Sequence, residues 1–386
     1  GTVAVGHTVY LTVTAELSTG LTQGQPFGNL VVAVGDETGA SAETTAYAQE
    51  GCLTRINDDP TEYDTVQAAV DAAVEGDVVK VAGYCLGAGH PTWGVQVYLN
   101  KELTIRGGYA PDDWSVSDPL AHPTTLDAQQ EGSVFYVSGD VSPTLESLRI
   151  TNGLGNGIQA DSAGLTISNS AVISNEGYGV NASLMDALTL RECDISDNGV
   201  RGVFIWESVA VLSDNTIARN DGTGVDAFEA NVTLQGNTIE GSGGRGVSID
   251  HSTALLEHNH VISNASGGIG VIASSPTIRG NEILSNTGTY GAGIRSYYPG
   301  SLTLEGNTLL YNVASERGGG LHVEETTLSM TNNLIADNQA AAGGSGVSLL
   351  ASTAELRHNT FARNSGGDGS AIWAWGVGPL GNSDVT

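Results

Sequence analysis

The sequence predicts an all-β fold, a right-handed parallel β-helix with three strands per coil, from three observations. A register of three markers recurs nine times from about Gly157 onward. Each unit holds three short stretches of period-two alternation, the pattern of strands with one face turned inward. Asparagines return to the same place in successive units, as expected of stacked coils in which each buried side-chain amide pairs with the next.

The markers are a Gly-plus-aliphatic pair, an alternating aliphatic pair, and an Asn followed two residues later by an apolar residue. The Asn marker falls at Asn169, Asn215, Asn237, Asn259, Asn281, Asn307, Asn333 and Asn359, with Cys193 standing in its place in the second unit. Its spacing is near-constant as far as Asn281 and longer, again constant, from Asn281 to Asn359. A second Asn closes most units, at Asn175, Asn198, Asn220, Asn264, Asn286, Asn312, Asn338 and Asn364. In each unit the first strand turns residues such as Val180, Val203, Val225 and Val247 inward. The second buries pairs such as Leu188 and Leu190, and the third buries the marker Asn with the apolar residue two places on. Coils stacked ~4.8 Å apart give the nine units a length on the order of 40 Å.

Three regions follow in chain order. Residues 1–50 do not match the repeat and read as a β-strand arm or small β module, with strands at 8–14 and 30–34. Residues 51–150 read as an N-terminal cap and irregular first coils, with strands at 78–81, 103–106, 134–137 and 148–150. Within them, residues 65–74 carry apolar positions at helical spacing, a short helix suited to covering the open end of the stack. Residues 151–386 read as the regular β-helix, ending after Ala371-Ile372-Trp373-Ala374-Trp375 in an open coil, a template for another strand.

The run Asp64-Thr65-Val66-Gln67-Ala68-Ala69-Val70 leading into Gly76-Asp77-Val78-Val79-Lys80-Val81, with the repeated Asn-x-Ile-x-x-Asn units, resembles the secreted right-handed parallel β-helix proteins of pectate-lyase-like fold. The resemblance spans about residues 60–375. It implies the fold and leaves the activity open among lyases, hydrolases, epimerases, adhesins and structural rods.

The 386 residues are 40% hydrophobic with 53 Gly, enough apolar content for a core and many tight turns. Asp and Glu total 43 against 14 Lys plus Arg, a net charge of −29, which argues against nucleic acid or anionic lipid and toward a cation or a neutral glycan as partner. A solvated surface on an exported protein accounts for the same charge. No cysteines stand in C-x-x-C spacing; Cys52 and Cys85 are either a disulfide or two free thiols, and Cys193 lies inside a repeat. No apolar run approaches the ~18 residues of a membrane span, and the chain opens at Gly1 rather than Met, so an extracellular or cell-surface protein processed from a precursor is expected.

The resemblance directs attention to the outward face of the first strand. There the alternation places Phe204 and Trp206, Asp226 and Phe228, Ser248 and Asp250, Ile272 and Ser274, Arg295 and Tyr297, and His322 and Glu324 on successive coils. Phe204, Trp206, Phe228 and Tyr297 are candidates for stacking a sugar. Asp226 and Asp250, one outward position apart on neighbouring coils, have a spacing compatible with inverting glycoside hydrolysis; Arg295, His322 and Glu324 form a second catalytic candidate, able to neutralise a uronate and abstract a proton. Ordinary surface carboxylates and salt bridges explain the same residues. The resemblance further implies an Asn-x-Asp, an Asp-Asp, a Gly-His-Gly and an Arg-x-Lys for a polygalacturonase, and these are missing as a set; basic residues beside a calcium site, as in pectate lyases, are missing from the coils. No metal site is expected and no cofactor is required; calcium remains an option at Asn57, Asp58, Asp59 and Glu62. Non-catalytic end-to-end self-association is the leading expectation, forming a filament subunit through Val9, Leu11, Val13, Val31 and Val32 of the arm and Ile372, Trp373 and Trp375 of the last coil. A polysaccharide-binding or polysaccharide-cleaving protein is the alternative.

Overall fold

The computed structural model describes residues 26–34, 39–47, 51–87, 90, 94–369, 371–376 and 384–385. The chain divides into two compact units, Gly1–Gly51 and Cys52–Thr386. In the first, Pro26–Val34 and Gly39–Tyr47 pair as an antiparallel hairpin. Residues 30–34 thus lie within a longer strand whose partner, 39–47, sequence periodicity did not indicate. Strand 8–14, with Val9, Leu11 and Val13, lies outside the described residues.

The second unit is a right-handed parallel β-solenoid. Its first sheet has 12 strands from Val95–Leu99 to Ile372–Trp375, its second 15, ending at Asp384–Val385, and its third 12 from Tyr84–Leu86 to Thr360–Ala362. Strand Asp384–Val385 continues the second sheet beyond residue 375, where the repeat was no longer legible. The inward residues of all three sheets merge into one core; Val180, Val203, Leu188, Leu190, Ile217 and Ile239 are all buried. At the N-terminal end the helix Val66–Ala72 lays Val66, Ala69 and Val70 on that core, with Thr65 as N-cap accepting from Ala68 N. Cys52 and Cys85 are joined by a disulfide beside this cap.

Corners are turned by single residues with left-handed backbone. Between first and second sheets they include Ser162, Leu184, Glu207, Glu229, His251 and Ala273; between second and third, they include Asn169, Glu192, Asp214 and His258. The next residue points inward, and after the second-to-third corner it carries the asparagine ladder. Asn237 shows the pattern: its Nδ2 donates to Asn259 Oδ1 at 2.9 Å and to Leu212 O at 2.8 Å, while its Oδ1 accepts from Asn215 Nδ2 at 2.8 Å. Asn169 itself is not in the ladder. It occupies the exposed corner, a conformation asparagine tolerates well, and Ser170 takes the buried position. Cys193 continues that column through its backbone N–H, which donates to Asn215 Oδ1 at 3.0 Å, and burial pushes its thiol up to about 11.

Among the described residues, three coils carry a fourth strand that three-strand periodicity did not predict. Thr287–Tyr290, Val313–Arg317 and Gln339–Ala340 form a small parallel sheet between third and first sheets, in the coils where the asparagine spacing lengthens from Asn281 onward. Glycine closes each added turn. Gly318 has φ +68°, and a Cβ there would lie 2.5 Å from Leu321 O and 2.7 Å from His322 Cβ. The added turn therefore folds directly over the first-sheet strand that follows it.

Candidate functional site

The outward face of the first sheet carries two parallel columns of side chains. Pairing Phe204 with Asp226, Asp226 with Ser248, Ser248 with Gly270, Gly270 with Arg295, and Arg295 with His322 sets one; Trp206, Phe228, Asp250, Ile272 and Tyr297 form the other. One outward pair differs from expectation. In the coil Ile269–Ile272 it is Gly270 and Ile272, because Ser274 lies past the corner Ala273 and is buried, its Oγ accepting from Ser252 N at 3.0 Å.

The N-terminal half of the face is an aromatic and charged cluster. Tyr178 stacks on Phe204 with centroids 5.7 Å apart, and the Arg201 guanidinium covers both rings. Arg201 also forms an ion pair with Asp226 at 2.9 Å and donates to Tyr178 Oη at 3.1 Å. Burial pushes the Asp226 carboxyl above its ordinary value, outweighing the opposing pull of Arg201. Asp250, one coil on, meets His251 Nδ1 at 2.7 Å, and His251 lies edge-on to Phe228. The two carboxyls of the first catalytic candidate thus share this face, each with its own cationic or imidazole partner. A carboxyl held toward its neutral form near a second carboxyl has the ingredients of acid and base roles.

The second candidate group is brought together only in part. Arg295 is held between the rings of Tyr290 and Tyr297, 5.2 and 4.4 Å from their centroids. His322, beside it, is not exposed. The added turn covers it to 2% exposure, its Nδ1 meets Ser348 Oγ at 3.1 Å, and Glu324 stays 3.9 Å from its Nε2. Burial first, then Arg295 and Arg317, push the imidazole down to about 4, so it is neutral at pH 7. A neutral imidazole suits a base, but its cover holds it away from any ligand lying on the face.

Residue type alone did not single out Tyr178, Arg201 and Arg245. All three precede the glycine of the Gly-aliphatic marker, as Tyr178-Gly179-Val180, Arg201-Gly202-Val203 and Arg245-Gly246-Val247. That fixed offset was a legible signal, since it puts each side chain at the entry to the face. Of the assembly residues, Val31 and Val32 lie in the hairpin, and Ile372, Trp373 and Trp375 form the terminal strand of the first sheet, with Trp375 49% exposed. In the acidic loop, Asp58 is bound to Lys80 at 2.8 Å and Glu62 to Arg55 at 2.6 Å.

A family model for the right-handed β-helix region matches residues 133–283 and 230–383, more than half of the chain. The protein belongs to the right-handed β-helix family. It is similar in fold to two A-modules of mannuronan C-5 epimerases from Azotobacter vinelandii. With the AlgE4 module it shares 17% identity at a TM-score of 0.58, covering 83% of this chain and 94% of that one. With the AlgE6 module it shares 18% identity at a TM-score of 0.55, covering 81% and 94%. At this identity the likeness is one of fold. No curated protein sequence matches the chain significantly. Among the described residues no helix is long and apolar enough to cross a membrane.

Proposed function

We propose that this protein binds polysaccharide along the outward face of its first sheet. The observation that carries the reading is the set of aromatic side chains on the two columns there, Phe204 in one and Trp206, Phe228 and Tyr297 in the other, with Arg201, Asp226 and Asp250 among them. Flat rings present apolar faces to the C–H surface of a sugar, and fixed charged groups beside them meet its hydroxyls. Proteins of the same fold named mannuronan C-5 epimerases support a saccharide rather than a protein ligand. Binding to a panel of neutral and charged polysaccharides, measured for the native chain and for Trp206→Ala and Phe228→Ala, tests the reading. Native binding that drops in both variants supports it, and equal binding by all three chains refutes it. Product analysis with Asp226→Asn and Asp250→Asn decides whether cleavage accompanies binding: cleavage that depends on both residues makes the face an active site.

End-to-end association is the second reading. It is favoured by the terminal first-sheet strand Ile372–Trp375, which pairs on one side only among the described residues and carries the exposed Trp375. Sedimentation of the native chain against Trp375→Lys tests it: concentration-dependent assembly lost in the variant is the expected result, and a monomer at every concentration removes the reading.

A further inference from the structure

The protein carries 43 Asp and Glu against 14 Lys and Arg, so most arginines find a carboxylate partner. Arg55, Arg106, Arg191, Arg201, Arg219 and Arg279 all form ion pairs with acidic residues. Arg149, Arg245, Arg295 and Arg317 form none among the described residues, though Arg245 exerts a longer-range pull on the Asp226 carboxyl; of the four, the two that come together are Arg245 and Arg295. Both line one recess of about 560 Å³ with Thr223, Ser266, Thr289 and Tyr290, and no Asp or Glu lines it. A second recess near the N-terminal cap, also with an arginine, is lined by Asp58, Asp112 and Asp113. The absence of carboxylates from the first is therefore not a general property of depressions on this surface.

The recess is a product of the repeat lengths. Where the asparagine spacing lengthens, beyond Asn281, the strand Thr287–Tyr290 projects as a wall past the shorter coils. It is the outermost strand of the fourth sheet, tied to the preceding coil where Thr287 N donates to Asn264 O at 3.0 Å and Thr287 Oγ1 to Ala265 O at 3.2 Å. Both guanidiniums are held in place by apolar support. Arg245 lies across Gly270, where a Cβ would come within 2.7 Å of its Cδ and 3.0 Å of its Cζ; the missing side chain makes its bed. Gly270 pairs with Arg295 in the next coil, which brings the second guanidinium alongside. Arg295 is stacked on Tyr290 and Tyr297, and its Nε is buried without a hydrogen-bond acceptor. Stacking occupies the faces of a guanidinium and leaves its in-plane N–H donors for the oxygens of an oxyanion.

We propose that this recess is a subsite for an oxyanion substituent on a sugar, a carboxylate or a sulfate ester, and that the polysaccharide held by the first-sheet face is therefore acidic. The inference rests on the polysaccharide reading above and narrows it. It also reverses the expectation drawn from net charge, which pointed to a cation or a neutral glycan. Charges beyond about 10 Å are screened at physiological salt, so the two guanidiniums lining the recess govern the local choice.

The test uses polygalacturonate, dextran sulfate and dextran as probes, with the native chain, Arg245→Gln, Arg295→Gln and Arg245→Lys. The expected result is preferential native binding to a charged polymer, weakened at least about tenfold by either Gln substitution, the scale of losing one charge-assisted hydrogen-bonded contact. Arg245→Lys should retain part of the affinity, and unfolding midpoints establish that each variant is folded. Polygalacturonate preference identifies a carboxylate subsite, and dextran sulfate preference a sulfate subsite. Native binding to dextran that neither Gln variant changes, with no gain for charged polymers, overturns the subsite and leaves the polysaccharide reading standing. Charged-polymer binding that both Gln variants retain also overturns the subsite. Failure to bind any polysaccharide overturns both.

Discussion

Ser242 interrupts the asparagine ladder at the corner between third and first sheets, and replacing it with asparagine should stabilise the protein. Asn220 Nδ2, below the gap, reaches only Ile195 O at 3.0 Å. Asn264, above it, reaches both Ile239 O at 3.1 Å and Asn286 Oδ1 at 3.0 Å. Ser242 Oγ is buried without a partner. In Ser242→Asn the new Oδ1 takes the place that accepts from Asn220 N and Nδ2, and the new Nδ2 faces Asn264 Oδ1. Room exists because Gly224 stands beside residue 242 as Gly202 and Gly246 stand beside Asn220 and Asn264, all three without a Cβ to obstruct the amide. Up to three buried hydrogen bonds form and one orphaned hydroxyl disappears. At about 1 kcal/mol net per bond, less the ordering of the longer side chain, the gain is about 2 kcal/mol. Urea unfolding followed by circular dichroism should show a higher midpoint at unchanged slope. An unchanged or lower midpoint would refute the claim that the ladder contributes stability rather than merely filling the corner.

Further outcomes follow from the cap, the covered histidine and the added turn. The Cys52–Cys85 bond closes a 33-residue separation, so Cys52→Ser should cost about 3 kcal/mol and raise amide exchange in the helix Val66–Ala72; unchanged exchange there contradicts a role in holding the cap. His322 titrates at about 4 instead of 6.5. The unfolded chain takes up a proton that the folded chain refuses, so stability is full above pH 6.5 and falls by up to about 3 kcal/mol as pH drops toward 4. His322→Gln should flatten that part of the acid limb, and identical limbs in denaturant titrations contradict the assignment. Gly318→Ala should destabilise by at least about 2 kcal/mol and raise the His322 midpoint, read by NMR, because the turn covering it must shift; no change in either would show that the turn tolerates a side chain.

What could be read in advance was whatever the coil stack repeats. Val203, Leu234 and Asn259 recur at fixed offsets because each coil must match its neighbours, and the structure buries all three. Departures from the repeat were harder to read. Asn169 and Ser170 exchange roles because asparagine suits both an exposed left-handed corner and a buried ladder, so residue type does not discriminate between them. The longer spacing from Asn281 to Asn307 was visible in the sequence, but the extra residues are too few for their alternation to announce a strand, and so the cover over His322 and the recess beside Arg295 were not foreseen. On the face itself, Phe204, Trp206, Asp226 and Phe228 followed from simple alternation. Arg201 and Arg245 enter it from a turn, where period-two reasoning does not reach.

The most direct test of the account is a crystal structure of the protein with an acidic oligosaccharide. Sugar rings are expected over Trp206, Phe228 and Tyr297 on the first sheet, with one anionic substituent between Arg245 and Arg295. Ligand density on the second or third sheet, with the first-sheet face empty, would contradict it.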